Sequence, residues 1–395
     1  VTVGSSLAVT LGSKVAGSDV DLYNSANPRT LILTRDSVDA KKFTGTYTVQ
    51  ANDNSADLAI IMATSNTASG AVLPRDAAGN SMSFLLSGRT AENTLAGSKD
   101  LVIDTTAPIA IDLDKDTAST QATRSAYFAL ADVNAGKAID LLIGLPTESD
   151  IATITIKVSG ADAVHDQLLL DATTINLDTT AVSATAITSG AYSGYSYAYD
   201  GMSKTVSFTK TDGTVFTAAN VQALEQSLIF KTSASTTPGD RTFEINHIDV
   251  AKNVGTSATQ TVTVDTTAPV LNSVTMTAKR GSSDLASGST LKAGDVVTVT
   301  AVYSEDVQGT FTTPPTLNMG SESNLTLTAG TTSGSTRTWT YTVSDTGITD
   351  TGAISVNGDF SAGYADAATN AVTGTATNAN TYTADTTAPV LNSVT

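Results

Sequence analysis

The chain contains no cysteine, one tryptophan and only two histidines in 395 residues. Without thiols it has no disulfide staples, no thiolate nucleophile and no cysteine-built zinc site. With two histidines and no G-x-S-x-G, phosphate-cradling glycine loop or metal-hydrolase motif, an enzyme is the least supported class. The paired carboxylates of a glycosidase are defined by their separation in space, and no pair is marked out along the chain. Basic charge is also scarce. Lys and Arg number 21 against 38 Asp and Glu, for a net charge of −17, which excludes a nucleic-acid binder because a phosphate backbone needs a basic face. Long apolar runs are missing too: LLIGL at 141–145 falls far short of the ~20 residues of a bilayer-spanning helix. A chain held by neither disulfides nor a membrane depends on its hydrophobic cores, or on metal ions, for which carboxylates are the available ligands.

What is present is strand, turn, strand. In RTWTYTV (337–343) Trp339, Tyr341 and Val343 share one face and Thr338, Thr340 and Thr342 the other, the period of a half-buried strand. GTYTVQA (45–51), ATITIKV (152–158), KTVSFTK (204–210) and DVVTVTAVY (295–303) read the same way, and the breaks between such runs carry Gly, Asp, Asn and Ser, which tolerate turn geometry. One helix is expected in TAANVQALEQSLIF (217–230), with Thr217 as N-cap and Val221, Leu224 and Leu228 at helical spacing. The fold class is therefore all-β, antiparallel sandwiches with one short helix.

A word recurs along this chain. DTTAP stands at 104–108, 265–269 and 385–389, and the last two copies share the eleven letters DTTAPVLNSVT. Copies 161 and 120 residues apart suit independently cored domains. The expected division is 1–103, 104–264 with the helix near 217–228, 265–384, and a linker with the first strand of a further repeat at 385–395. On this reading the chain is a slice of something longer, and the lack of a signal peptide at Val1 says little.

The linker DTTAP and a D-x-x-x-N motif upstream of each outgoing copy (DAAGN at 76–80, DVAKN at 249–253, DAATN at 366–370) resemble the tandem bacterial Ig-like and cadherin-like modules of giant type I secreted adhesins, the repeats-in-toxin adhesins. VTVTAVYSEDV (297–307) is similar to the bacterial Ig-like strand that ends in an acidic turn. IDLDKD (111–116), TESDIATITIKV (147–158) and GDRTFEINHIDVAKN (239–253) resemble the cadherin-like version. The family's Gly before the Asn is present only in the first motif; Lys252 and Thr369 replace it in the others, so the turn there need not adopt a positive φ. The resemblance implies a secreted or surface protein of a bacterium, an extended rod, and calcium between modules, with Asp76 and Asp385 among its ligands.

The chemistry of the residues supports calcium independently. Pro269 holds Ala268 extended, so the linker is short and stiff. In an Ig topology the loop between the last two strands returns to the pole where the first strand began, which brings Asp265, Glu305, Asp306 and Asp366 together. For the preceding domain the corresponding set is Asp104, Asp249 and a residue of the loop near Asp132. Several carboxylates at one junction repel one another unless a cation neutralises them, and oxygen-only ligands on loops suit Ca²⁺. Asp112, Asp114 and Asp116, spaced by two, form a further candidate set. The alternative for any single Asp is a solvated turn residue. His165 and His247 stand alone and read as ordinary surface or strand residues, not zinc ligands.

AYSGYSYAYDG (191–201) places Tyr195, Tyr197 and Tyr199 on one strand face. That face either packs against a neighbouring sheet or forms a platform for a surface glycan or peptide. Three functions are thus carried forward: a monomeric calcium-rigidified extender of a bacterial surface adhesin, whose partners are its neighbouring repeats; a ligand-binding module of such an adhesin; and a unit of a self-assembling surface layer.

Overall fold

A computed structural model describes residues 5–15, 18–21, 29–66, 68, 71–83, 95, 99–113, 123–139, 150–311, 313–344, 352–378 and 380–393. The chain is all-β. Before the first linker, strand Ser6–Val15 pairs with Arg29–Arg35 on one side and Leu58–Ser65 on the other, burying Leu7, Val9, Leu11 and Ala59. GTYTVQA does not continue this sheet. Its polar groups turn instead to the buried Asp53 carboxylate, which accepts from the Tyr47 hydroxyl and the Gln50 amide and pairs with Arg29.

Between the first and second linkers, a seven-stranded sheet faces a four-stranded one. Strand Ile151–Ser159 shows why they stack. Ile154, Ile156 and Val158 are buried while Thr155 and Lys157 alternate outward, and they meet Leu168 and Leu170 of the opposing sheet in one core. Phe128, Phe230 and Phe243 stack edge to face at centroid distances of 5.4 and 5.5 Å, each fully buried ring adding about 1.5–3 kcal/mol by area alone. The helix spans Ala218–Gln226, capped reciprocally by Thr217 and Asn220. It stops earlier than expected because Leu228 already belongs to a strand, Leu228–Lys231, paired with the Leu170 end of Gln167–Leu170.

After the second linker two five-stranded sheets enclose another core. Val297, Val299 and Ala301 of strand Val296–Tyr303, with Trp339 of Thr336–Thr342, face Leu317, Met319, Ile354 and Tyr382. Trp339, Phe311, Phe360 and Tyr364 cluster edge to face at its margin. Among the described residues no helix is long and apolar enough to cross a membrane.

Candidate metal centres at the two linkers

Each D-x-x-x-N segment folds into the same turn. The Asp amide donates to the Asn carbonyl at 3.0, 3.2 and 3.1 Å for Asp76, Asp249 and Asp366. The Asn amide returns a bond to the Asp Oδ1 at 2.8, 2.8 and 2.9 Å. Its side-chain Nδ2 reaches the Asp Oδ2 at 2.8, 2.8 and 2.9 Å. The residue before the Asn has φ of +87°, +74° and +74° at Gly79, Lys252 and Thr369. The expectation that Lys252 and Thr369 release the turn from positive φ is therefore corrected: the closed ring of Asp–Asn bonds imposes the left-handed conformation whichever residue sits there, at a steric cost for a β-branched threonine.

Asp366 and Asn370 are both 5% exposed. Asp366 is brought together with Asp265 of the linker and Glu305, which follows strand Val296–Tyr303, so that one carboxylate oxygen of each lies within 4.8 Å of the others. Burial, and after it the Asp265, Asp366 and Asp306 carboxylates, holds the Glu305 carboxyl above its ordinary range. That is the direction expected where ionising one more acid adds charge to a site already negative. Asp306 itself is exposed and stands beside this trio, outside it.

A second trio has the same construction at the first linker: Asp104, Asp150 and Asp249. Here the expected loop near Asp132 is corrected. Strand Thr123–Phe128 runs parallel to Ala258–Val264, with Phe128 beside Val264, so its end reaches the outgoing linker at the opposite pole. Asp132 accepts from the Ala129 amide and pairs with Lys137. Asp150 takes the vacant role. It immediately precedes Ile151, which pairs with Asp249, and its carbonyl accepts from Val250; the acid at the mouth of a strand registered on the motif Asp was the available signal. Among the described residues, none of the six carboxylates has a Lys or Arg ion-pair partner.

The other candidates fall outside these trios. Asp76 holds its exposed turn, and Asp385 caps the following Thr387 amide; no carboxylate trio forms around either among the described residues. Asp112 is half-buried between the core residues Ile111 and Leu113; Asp114 and Asp116 lie outside the described residues. Tyr195 and Tyr199 are 9% and 2% exposed, and Tyr197 packs partly buried against the same core. Tyr195 meets Tyr192 and Phe216 edge to face, and the Tyr199 hydroxyl donates to the Asp178 carbonyl. Burial pushes the Tyr199 hydroxyl up to about 12. His247 is buried on its strand and bonds Glu225 at 2.9 Å, a pairing between helix and sheet that spacing could not announce.

No family model matches the chain, and no curated protein matches it. Among solved structures, the C-terminal domain of the Streptococcus pyogenes antigen I/II-family protein AspA is similar at 13% identity, covering 60% of this chain and 85% of that one, with a TM-score of 0.18. A titin segment, Titin-A168169, is similar at 11% identity, covering 60% of this chain and 91% of the other, with a TM-score of 0.16. Overlaps this slight carry no argument about fold or function.

Proposed function

We propose that the chain is a calcium-stiffened extender of a large bacterial surface adhesin, lying outside the cell and projecting a distal binding region. Its modules divide at the linkers beginning with Asp104 and Asp265 and lie end to end, each the main partner of the next. The observation that carries this reading is the repeated trio: a linker Asp, an acid at a strand end and the Asp of D-x-x-x-N, built twice and, among the described residues, left without a Lys or Arg ion-pair partner. Three oxygen donors with no histidine or cysteine among them fit a hard cation, and a site assembled from a linker and two loops suits the flexible coordination of Ca²⁺ better than the rigid octahedron of Mg²⁺. A bound cation cancels the repulsion inside each trio and ties the linker to the module it enters.

With a dissociation constant near 10⁻⁵ M and external calcium of about 1 mM, each ion held only by the folded chain adds roughly 2.7 kcal/mol. Titration calorimetry tests the reading directly. At least two ions per chain are expected; heat of dilution alone at millimolar calcium refutes it. The tyrosine strand gives no support to a ligand-binding platform, because its rings are packed in the core.

A further inference from the structure

The linkers beginning with Asp104 and Asp265 are each gripped by an asparagine side chain that needs no ion. Asn370 Nδ2 donates to the carbonyls of Asp265 and Thr267 at 2.8 and 3.4 Å and to Asp366 Oδ2 at 2.9 Å. Asn253 repeats the pattern on Asp104 and Thr106, at 3.1 and 3.4 Å, and on Asp249 at 2.8 Å. The far side of these two linkers is held by the chain that precedes them. Asn54 accepts from the Thr105 amide at 2.8 Å and donates to the Thr106 hydroxyl at 3.0 Å; the Asp265 amide donates to the Phe128 carbonyl at 2.9 Å. At the second linker the asparagine spans the junction itself. Asn370 Oδ1 accepts from the Leu130 amide at 2.7 Å, a partner 240 positions away in the chain.

We infer that Asn370 and Asn253 are positioning residues that fix the linker against the motif turn without metal, so that Asp265 and Asp104 are already placed beside Asp366 and Asp249 before any cation arrives. Only an amide can do this. Its two N–H donors serve the carboxylate and the first linker carbonyl, with the longer 3.4 Å contact sharing one hydrogen, and in Asn370 its oxygen accepts an incoming amide, whereas an aspartate there has no donor and sets a further negative charge against Asp366. Pre-placement lowers the ordering cost of binding. The inference deepens the calcium reading but rests on it only for the affinity arm of its test.

The test compares the parent with Asn370→Ala and Asn370→Asp in the full chain. The first arm is amide hydrogen exchange in chelator. In Asn370→Ala the Leu130 amide loses its acceptor and should exchange roughly tenfold faster, the equivalent of about one hydrogen bond; the Asp265 and Thr267 amides, which donate to the Phe128 carbonyl and to Asp265 Oδ1, should accelerate through loosening of the released linker, while those of strand Val296–Tyr303 keep the parent rate. Asn370→Asp keeps the oxygen that Leu130 uses and loses the donors that the linker uses, so Leu130 should stay protected while Asp265 and Thr267 accelerate. Parent rates at the linker in both variants overturn the inference. Equal acceleration of the linker and of Val296–Tyr303 in both also overturns it, because Asn370 would then serve only the fold. The second arm is calcium titration, where Asn370→Ala should bind about tenfold more weakly at one site. A parent that binds no calcium sinks the proposed function and leaves the exchange result to decide the clamp alone.

Discussion

Replacing Glu305 by Gln keeps the shape of the side chain and removes one charge from the trio at the second linker. Its carboxylate oxygen lies within 4.8 Å of those of Asp265 and Asp366, a spacing at which one pair of like charges repels by roughly 1 to 3.5 kcal/mol for an effective dielectric between water and a protein surface. Part of that repulsion is already relieved, because the raised Glu305 carboxyl is easier to protonate. In chelator, Glu305→Gln is therefore expected to stabilise the region after the second linker by about 1–2 kcal/mol, or roughly 3–8 °C in Tm. In millimolar calcium the same change deletes a ligand. The variant should then melt below the parent, the loss being bounded by the roughly 2.7 kcal/mol that one ion contributes. Thermal unfolding of both proteins in both buffers makes the comparison. A shift of the same sign with and without calcium refutes the account of the trio as a cation site.

Further outcomes follow from neighbouring chemistry. Because the folded Glu305 carboxyl is raised, its stabilising contribution in chelator is complete below the ordinary carboxylate range and is lost as pH rises through the folded value; calcium should abolish that loss in a pH series of melting curves. Asp162 works in the opposite sense. Its carboxyl is lowered chiefly by the His165 side chain, with burial opposing and the Thr237 and Val164 amides adding to the effect, so its contribution is present above pH ~4 and fades on acidification in urea titrations. Arg241→Met strands the fully buried Asp166 carboxylate, bonded to Arg241 Nε at 2.6 Å, and should cost about 3–5 kcal/mol in urea unfolding, much of it recovered by adding Asp166→Asn. Thr369→Gly removes a β-branched residue from φ +74° and should raise stability by about 1 kcal/mol.

Local pattern carried most of the fold. Alternation in Thr336–Thr342 and Val296–Tyr303 sets which residues enter the core, and the Thr217 cap with Asn220 starts the helix where spacing placed it. What spacing did not carry was competition from partners distant in sequence: Leu228 left the helix for a strand pairing, and GTYTVQA gave its polar groups to Asp53. The site divides the same way. Asp265, Glu305 and Asp366 were legible because the linker, the acidic turn and the motif each leave a local mark, and the returning loop of an Ig topology joins them. Asp132 was misplaced because a parallel pairing sends Phe128, and Asp132 after it, to the opposite pole; Asp150, the acid just before a strand, was passed over in its favour. No local signal reveals that a strand runs parallel to its neighbour.

The central claim is that an ion at each linker fixes one module against the next, and an inter-module distance measures it most directly. The chain has no cysteine, so two exposed serines on either side of the second linker, Ser183 and Ser323, can each be replaced by Cys and spin-labelled without background. Pulsed electron–electron resonance then reads the spread of distances between them. The account predicts a narrow distribution in millimolar calcium and a broader one in chelator, where the Asn370 bonds alone hold the linker, with the broader width kept in both buffers when Glu305→Gln is added. An unchanged width on adding and removing calcium would contradict it.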